Sequence, residues 1–321
     1  MFARTVFLTA LLFFSAVTSQ VAVAQSYPFR PIKVVVPFPA GNASDLWART
    51  LFDSIQKKTG ATIIIENRAG ALGLIGTRSA LRDPADGYTL MMSGASTHAL
   101  AEAFTKEVGY DPITDFNHLA VPIKSSLLII VAQNSPFKTI QDLISEVKET
   151  PNKLTRGYAS GSTWVAGAKF HKQQGLEARA VPYKASQDAL NDLLGDRLSY
   201  LVTDSTVALS AVSGGQARAL LVLGDSRYAG LPETPSLRDA GLASLQLEGF
   251  AGVTARAGIP DEARQWIKKA VDDAIADKSV HDALLKLGAD VATPGIDATK
   301  FVADQHKLWS EAAKDAGVTP Q

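Results

Sequence analysis

The chain contains no cysteine in 321 residues. Disulfide frameworks, thiolate nucleophiles and cysteine-ligated zinc or iron–sulfur centres are therefore excluded. It also lacks a surplus of either charge, with 32 Lys and Arg against 32 Asp and Glu. Nucleic-acid binders normally carry a basic excess, so no nucleic-acid partner is expected. Past the first residues, no uncharged apolar run reaches the roughly 20 residues that a bilayer span requires. Apolar residues, by contrast, make up 46% of the chain, too many for a disordered polypeptide. At roughly 150 residues per domain, the length fits two domains, each with its own core.

The N-terminus reads as an export signal. Arg4 supplies a positive start, Thr5 to Val17 an apolar stretch, and Ala22-Val23-Ala24 a small-x-small cleavage site before Gln25. Residues 1–24 are expected to be removed, with a periplasmic product. The cut takes away one basic residue, Arg4, and no acidic one, so the remaining chain is nearly neutral.

Strand-length apolar runs then alternate with helix-period segments. Ile32 to Val36 is rich in β-branched residues and reads as a strand, and Ser44 to Lys58 carries Trp47, Leu51 and Ile55 on one helical face. Strands are expected at Ala61–Ile65, Tyr88–Met92, Leu127–Val131, Leu154–Ala159, Ala178–Val181, Leu198–Val202 and Ala217–Leu223. Helices are expected between them at Ala71–Leu81, Ile140–Glu149, Thr163–Gln174, Ser186–Leu194 and Ser205–Val212. This alternation predicts an α/β protein with parallel sheets covered on both faces. From Pro260 onward only helices are expected, in two stripes that include Trp266 and Trp309 and cover the first sheet. Extended segments at Ala120–Lys124 and Leu245–Phe250 are the expected crossings. The expected organisation is therefore a discontinuous first lobe, 25–122 plus 248–321, and a second lobe, 123–247, with a cleft between.

In open α/β sheets, ligands sit where strands hand over to helices. Two such loops stand out. Phe38-Pro39-Ala40-Gly41-Asn42-Ala43-Ser44-Asp45 combines a helix-blocking proline with residues that tolerate left-handed backbone, and then opens a helix. Ser160-Gly161-Ser162-Thr163-Trp164 brings three hydroxyls to the start of another helix. Free N–H groups and the positive end of a helix dipole attract anions, so the two loops could grip one small carboxylate from opposite sides. The same residues also serve as ordinary helix caps. Asp45 suits a helix first turn, Asp204 suits a cap, and Trp164 suits packing.

The segments YPFRPIKVVVPFPAGNASD, ENRAGALGLIG, DPADGYTL, YDPITDF, YASGST, VPYKASQDALNDLLGDR and GGQARALLVLGDSRYAGLPETPSLRDAGL occur in this order. In these the chain resembles the solute receptors of tripartite tricarboxylate transporters, the Bug-type extracytoplasmic receptors. The resemblance implies a periplasmic-binding-protein-like fold of two lobes that closes on a small organic acid and delivers it to membrane subunits. It places the ligand on Phe38 to Asp45 and Ser160 to Thr163, with Asp204 at an acidic position after a strand of the second lobe. Ser96 and Thr97 match a further cleft loop. Four features depart from the common pattern and bear on ligand choice. Asn42 replaces a second glycine, the second loop is shorter than the common glycine-rich form, a histidine after it is missing, and Phe250 stands where tryptophan is frequent.

Enzyme readings fail on spacing. Ala69 to Gly76 gives G-x-x-G-x-x-G after the second strand, where a dinucleotide loop needs G-x-G-x-x-G after the first. Gly157 to Gly161 places its serine one residue late for a nucleophile elbow, and Ser54 to Lys57 fits S-x-x-K without companion motifs. The histidines at 98, 118, 171, 281 and 306 never fall at i, i+4, so no H-E-x-x-H zinc site is present. No cofactor or metal is expected. The expected function is a monomeric receptor for a di-, tri- or aromatic carboxylate serving a transporter, with a ligand-sensing module for a membrane kinase as the alternative.

Overall fold

The computed structural model describes residues 26–245 and 247–320. The expected leader and its cleavage point lie outside these residues. Four strands come first: β1 (Ile32–Val36), β2 (Ile63–Asn67), β3 (Thr89–Gly94) and β4 (Phe116–Ser125). They share a six-stranded sheet with β10 (Gly249–Arg256) and β11 (Asp290–Val291), in the order β11-β4-β10-β3-β1-β2. The second sheet, of order β7-β6-β8-β5-β9, contains β5 (Leu127–Ala132), β6 (Thr155–Tyr158), β7 (Arg179–Pro182), β8 (Tyr200–Asp204) and β9 (Ala217–Val222).

The expectation of parallel sheets holds only in part. β1 runs parallel to β2 and β3, and β6 runs parallel to β7 and β8. However, β10 is antiparallel to both β3 and β4, and β5 is antiparallel to β8 and β9. These antiparallel strands are where the chain changes sheets. β4 ends the first sheet at Ser125 and β5 opens the second at Leu127, so a single residue, Ser126, separates them. The expected first crossing, Ala120–Lys124, instead lies inside β4. The returning strand β10 pairs with it, Gly249 facing Ser125.

Among the helices are α1 (Ala43–Thr59), α2 (Leu74–Ala80), α3 (Ala101–Phe104), α4 (Ile140–Glu149), α5 (Gly161–Gln174), α6 (Ser186–Leu194) and α7 (Ser205–Ser213). The C-terminal part adds α8 (Asp261–Ile275), α9 (Lys278–Lys286) and α10 (Ala298–Asp315). β11 interrupts this part, which was expected to be purely helical. Helix α2 starts later than the periodicity suggests because Leu72, at φ 55°, breaks the helix before it. One core gathers Val34, Val36, Leu51, Ile55 and Val253 with Ile267 and Val271 of α8.

The last helix does not simply cover the first sheet. Val302, Trp309, Ala312 and Ala313 of α10 share a cluster with Ala95 and Val121 from the first half and with Val165, Phe170 and Tyr200 from the second. An 18-residue helix is about 27 Å long, enough to lie along both halves. No helix among the described residues is long and apolar enough to cross a membrane.

Candidate functional site

Strands β1, β3, β6 and β8 all deliver their C-terminal ends to the space between the two sheets. β1 leads through the Pro37–Asn42 turn into α1, and β3 into a π-helical turn, Ala95–Ala99. β6 leads into α5, and β8 passes directly into α7. Together they enclose a cavity of about 70 Å³.

The three main helices that begin at this cavity are capped in two different ways. At α1, extended Asn42 accepts a 3.0 Å hydrogen bond from the Ser44 N–H. Its turn is closed by Gly41 at φ 80°, which is left-handed backbone suited to glycine. At α5, Ser160 and Thr163 form a reciprocal capping box, with the Thr163 N–H on Ser160 Oγ and the Ser160 N–H on Thr163 Oγ1. Both caps are neutral. The Ala43 amide, at the first residue of α1 and on the cavity wall, has no intrahelical acceptor, and neither neutral cap cancels the positive end of its helix. At α7 the cap is a carboxylate: Asp204 accepts from the N–H groups of Thr206 and Val207 at 3.1 and 3.3 Å. That helix end is already neutralised.

Among the described residues no Lys, Arg or His lines the cavity, and the one ionisable residue there is Asp204. Burial pushes the Asp204 carboxyl above its usual range, opposed by the amide hydrogen bonds of its own helix. Asp45 behaves in the opposite way. Burial alone would raise it, but hydrogen bonds from Arg49, Gly41 and Asn67 outweigh that and hold it below the usual range. It accepts from the Gly41 N–H and Asn67 Nδ2, each at 2.9 Å, and pairs with Arg49, also at 2.9 Å. Asp45 thus points into the scaffold of the turn, away from the cavity.

Of the residues singled out in the sequence, the cavity brings together Phe38, Asn42, Ala43, Ser44, Ser96, Ser160, Ser162 and Asp204. The remainder lie elsewhere, each for a physical reason. Ala40 and Gly41 are exposed on the outside of the turn. Thr97 is fully buried, bonding Gly94 and His98. Thr163 is consumed by the capping box, and Gly161 packs so closely against Phe104 that a Cβ would overlap the ring. Trp164 stacks on Phe104 and Tyr158, with ring centroids 5.2 and 5.5 Å away. It is a packing residue and does not form the cavity wall. His98, beside Thr97, is buried against Phe116, 4.5 Å between centroids.

Sequence reasoning missed Trp47, Ser93, Gly94, Ala95, Ser125, Leu127, Gly249 and Ala251 as lining residues. Phe250, noted only as a departure, also lines it. Ser93 to Ala95 directly precede Ser96, so that loop was findable. Ser125 and Gly249 meet only through strand pairing across the chain.

The two halves touch around the cavity. The Ser162 N–H donates to Ser96 Oγ at 3.3 Å, and Phe104 stacks on Trp164. Ser205 Oγ donates to the Gly288 carbonyl. Gly288, at φ 81°, lies where a Cβ would be 2.7 Å from the Ser205 backbone, so glycine permits this approach.

The family model described as the tripartite tricarboxylate transporter family receptor matches residues 47–318. The chain belongs to that family. The periplasmic binding protein BugD superposes on this receptor with a TM-score of 0.85 at 29% identity, covering 92% of this chain and all (100%) of its own. Rpa4515 of R. palustris, solved with adipate, gives 0.88 at 29% identity over 92% of this chain and 100% of its own. MatC from Rhodopseudomonas palustris, solved with malate, gives 0.83 at 26% identity over 89% of this chain and 100% of its own. The receptor therefore has the two-lobed fold of periplasmic binding proteins. Like the members of that family, it is a solute-binding protein and not an enzyme.

Proposed function

We propose that this receptor works in the periplasm, enclosing one small organic carboxylate between its lobes and handing it to the membrane subunits of a tripartite tricarboxylate transporter. One observation carries this reading: α1 and α5, one from each lobe, begin at a single cavity, and their neutral caps, Asn42 and Ser160, both line it. The carboxylates held by Rpa4515 and MatC support the ligand class, and the family description supports the transporter. The export signal supports the compartment.

Recognition without a cation is physically sufficient. Each hydrogen bond to a charged group contributes about 1.5–3 kcal/mol net, so a few converging donors reach micromolar binding. The ligand meets donors of both lobes only when they are together, and that differential affinity favours closure. The lobes are the bodies built on the two sheets, hinged at Ser126 and at the return into β10. With near-neutral charge, long-range steering is weak and the loops select the ligand.

Thermal melting against a panel of mono-, di-, tri- and aromatic carboxylates tests this. A ligand bound only by the folded state raises Tm by mass action, by about 2.7 kcal/mol of stability at a hundredfold excess over Kd. The small cavity predicts the largest shifts from short aliphatic diacids. No shift from any carboxylate at millimolar concentration would reject the reading.

A further inference from the structure

Arg156, on β6, is the one buried Lys or Arg among the described residues, with 3% of its surface exposed. Asp45, equally buried, pairs with Arg49 at 2.9 Å. Arg156 has no such partner. Its Nη1 donates to the Trp164 carbonyl at 3.3 Å, and its Nε has no hydrogen-bond partner among the described residues. Besides burial, which pulls it below the usual arginine range, the groups that act on it electrostatically are the Tyr200 and Tyr158 phenols. No carboxylate is among them. A guanidinium nevertheless stays charged at physiological pH, and a buried charge is costly unless an opposite one compensates it. The missing countercharge therefore has to come from outside the chain.

The position of this charge says where. α5 covers the guanidinium so closely that a Cβ on Gly167 would overlap Nη1. Glycine at 167 thus lets a cation fit between the helix and the sheet. Trp164, whose carbonyl it meets, is four residues after the Ser160 cap, about 6 Å along the helix axis. Ser160 and Ser162 line the cavity, and Arg156 does not. The guanidinium therefore sits behind the cavity wall, on the order of 10 Å from the cavity end of α5.

We propose that Arg156 is the countercharge of the bound carboxylate, acting through the protein interior beneath α5 and not by contact, and that it makes the receptor prefer anionic solutes to uncharged ones of the same shape. Hydroxyls and amides at the cavity donate to a neutral carbonyl as well as to a carboxylate, so they supply less of this preference. At about 10 Å and an effective dielectric near 20, two unit charges attract strongly enough to change a binding constant about tenfold. The inference rests on the carboxylate reading above.

Isothermal titration with succinate, and with succinamate in competition with it, tests this on wild type, Arg156→Met and Arg156→Lys. Succinamate replaces one carboxylate by an uncharged amide of the same shape. Arg156→Met should weaken succinamate about tenfold and succinate about thirty- to a hundredfold, because succinate carries two charges for the arginine to attract. Arg156→Lys keeps the charge and should stay within about threefold of wild type for both probes. If Arg156→Met fails to fold, Arg156→Gln carries the same test. A role confined to packing would weaken the two probes alike. Equal losses, no loss, a loss shared by the lysine variant, or failure of both neutral variants to fold would overturn the role of Arg156 and leave the carboxylate reading standing. Wild-type binding to neither probe would overturn both.

Discussion

Helices α5 and α7 follow neighbouring strands of the second sheet and begin at the same cavity, yet only one is left able to receive an anion. Ser160 caps α5 with a neutral hydroxyl, whereas Asp204 caps α7 with its own carboxylate. Both caps satisfy first-turn amides equally well as local structure. The difference shows that a helix N-terminus becomes a binding element only when its cap leaves the positive end uncompensated. Helix α1 belongs with α5: Asn42 is neutral, and the nearby Asp45 is committed to Arg49, Asn67 and Gly41.

Making α5 resemble α7 should break the site outright. Ser160→Asp retains a good helix cap but places a carboxylate where the ligand's is proposed to lie. Two like charges about 4 Å apart at an effective dielectric near 20 cost about 4 kcal/mol. Succinate affinity should fall about a thousandfold in calorimetry, with the circular dichroism spectrum unchanged. Retained affinity would mean that α5 does not meet the ligand.

The converse change is smaller. Asp204 faces the same cavity, and burial already raises its carboxyl. A bound anion raises it further, so binding takes up a proton, and wild-type affinity falls as pH rises through the Asp204 titration. Asp204→Asn keeps the cap and removes the charge. The ratio of variant to wild-type affinity should rise by about tenfold across that titration, one pKa unit of coupling. Using the ratio cancels the ligand's own ionisation, which affects both proteins alike. A ratio independent of pH would mean that Asp204 and the ligand do not sense each other.

Much of this arrangement is legible in the sequence where local chemistry decides it. Helices α4 and α6 have the bounds that their patterns predict, Ile140–Glu149 and Ser186–Leu194. For α4 the Thr139 and Asp142 capping box marks the start. Helix α5 starts two residues before the expected Thr163 because Ser160, not Ser162, is the cap. What resists reading is non-local. The segments of β4 and β10 look merely extended, and they become strands only by pairing with each other across the return of the chain. Trp47 fits the buried stripe with Leu51 and Ile55 so well that periodicity assigns it wholly to the core. That it also lines the cavity becomes visible only in the fold. Asp45 and Asp204 look alike in sequence, each beside a helix start, and only their partners distinguish scaffold from cavity wall.

A crystal structure of the receptor with bound succinate tests the central claim most directly. The account predicts one carboxylate between the lobes, its oxygens within hydrogen-bond distance of the Ala43 amide and of the Ser160 or Ser162 hydroxyl, with no Lys or Arg in contact. Succinate bound away from those helix ends, or neutralised by a cationic side chain, would contradict it.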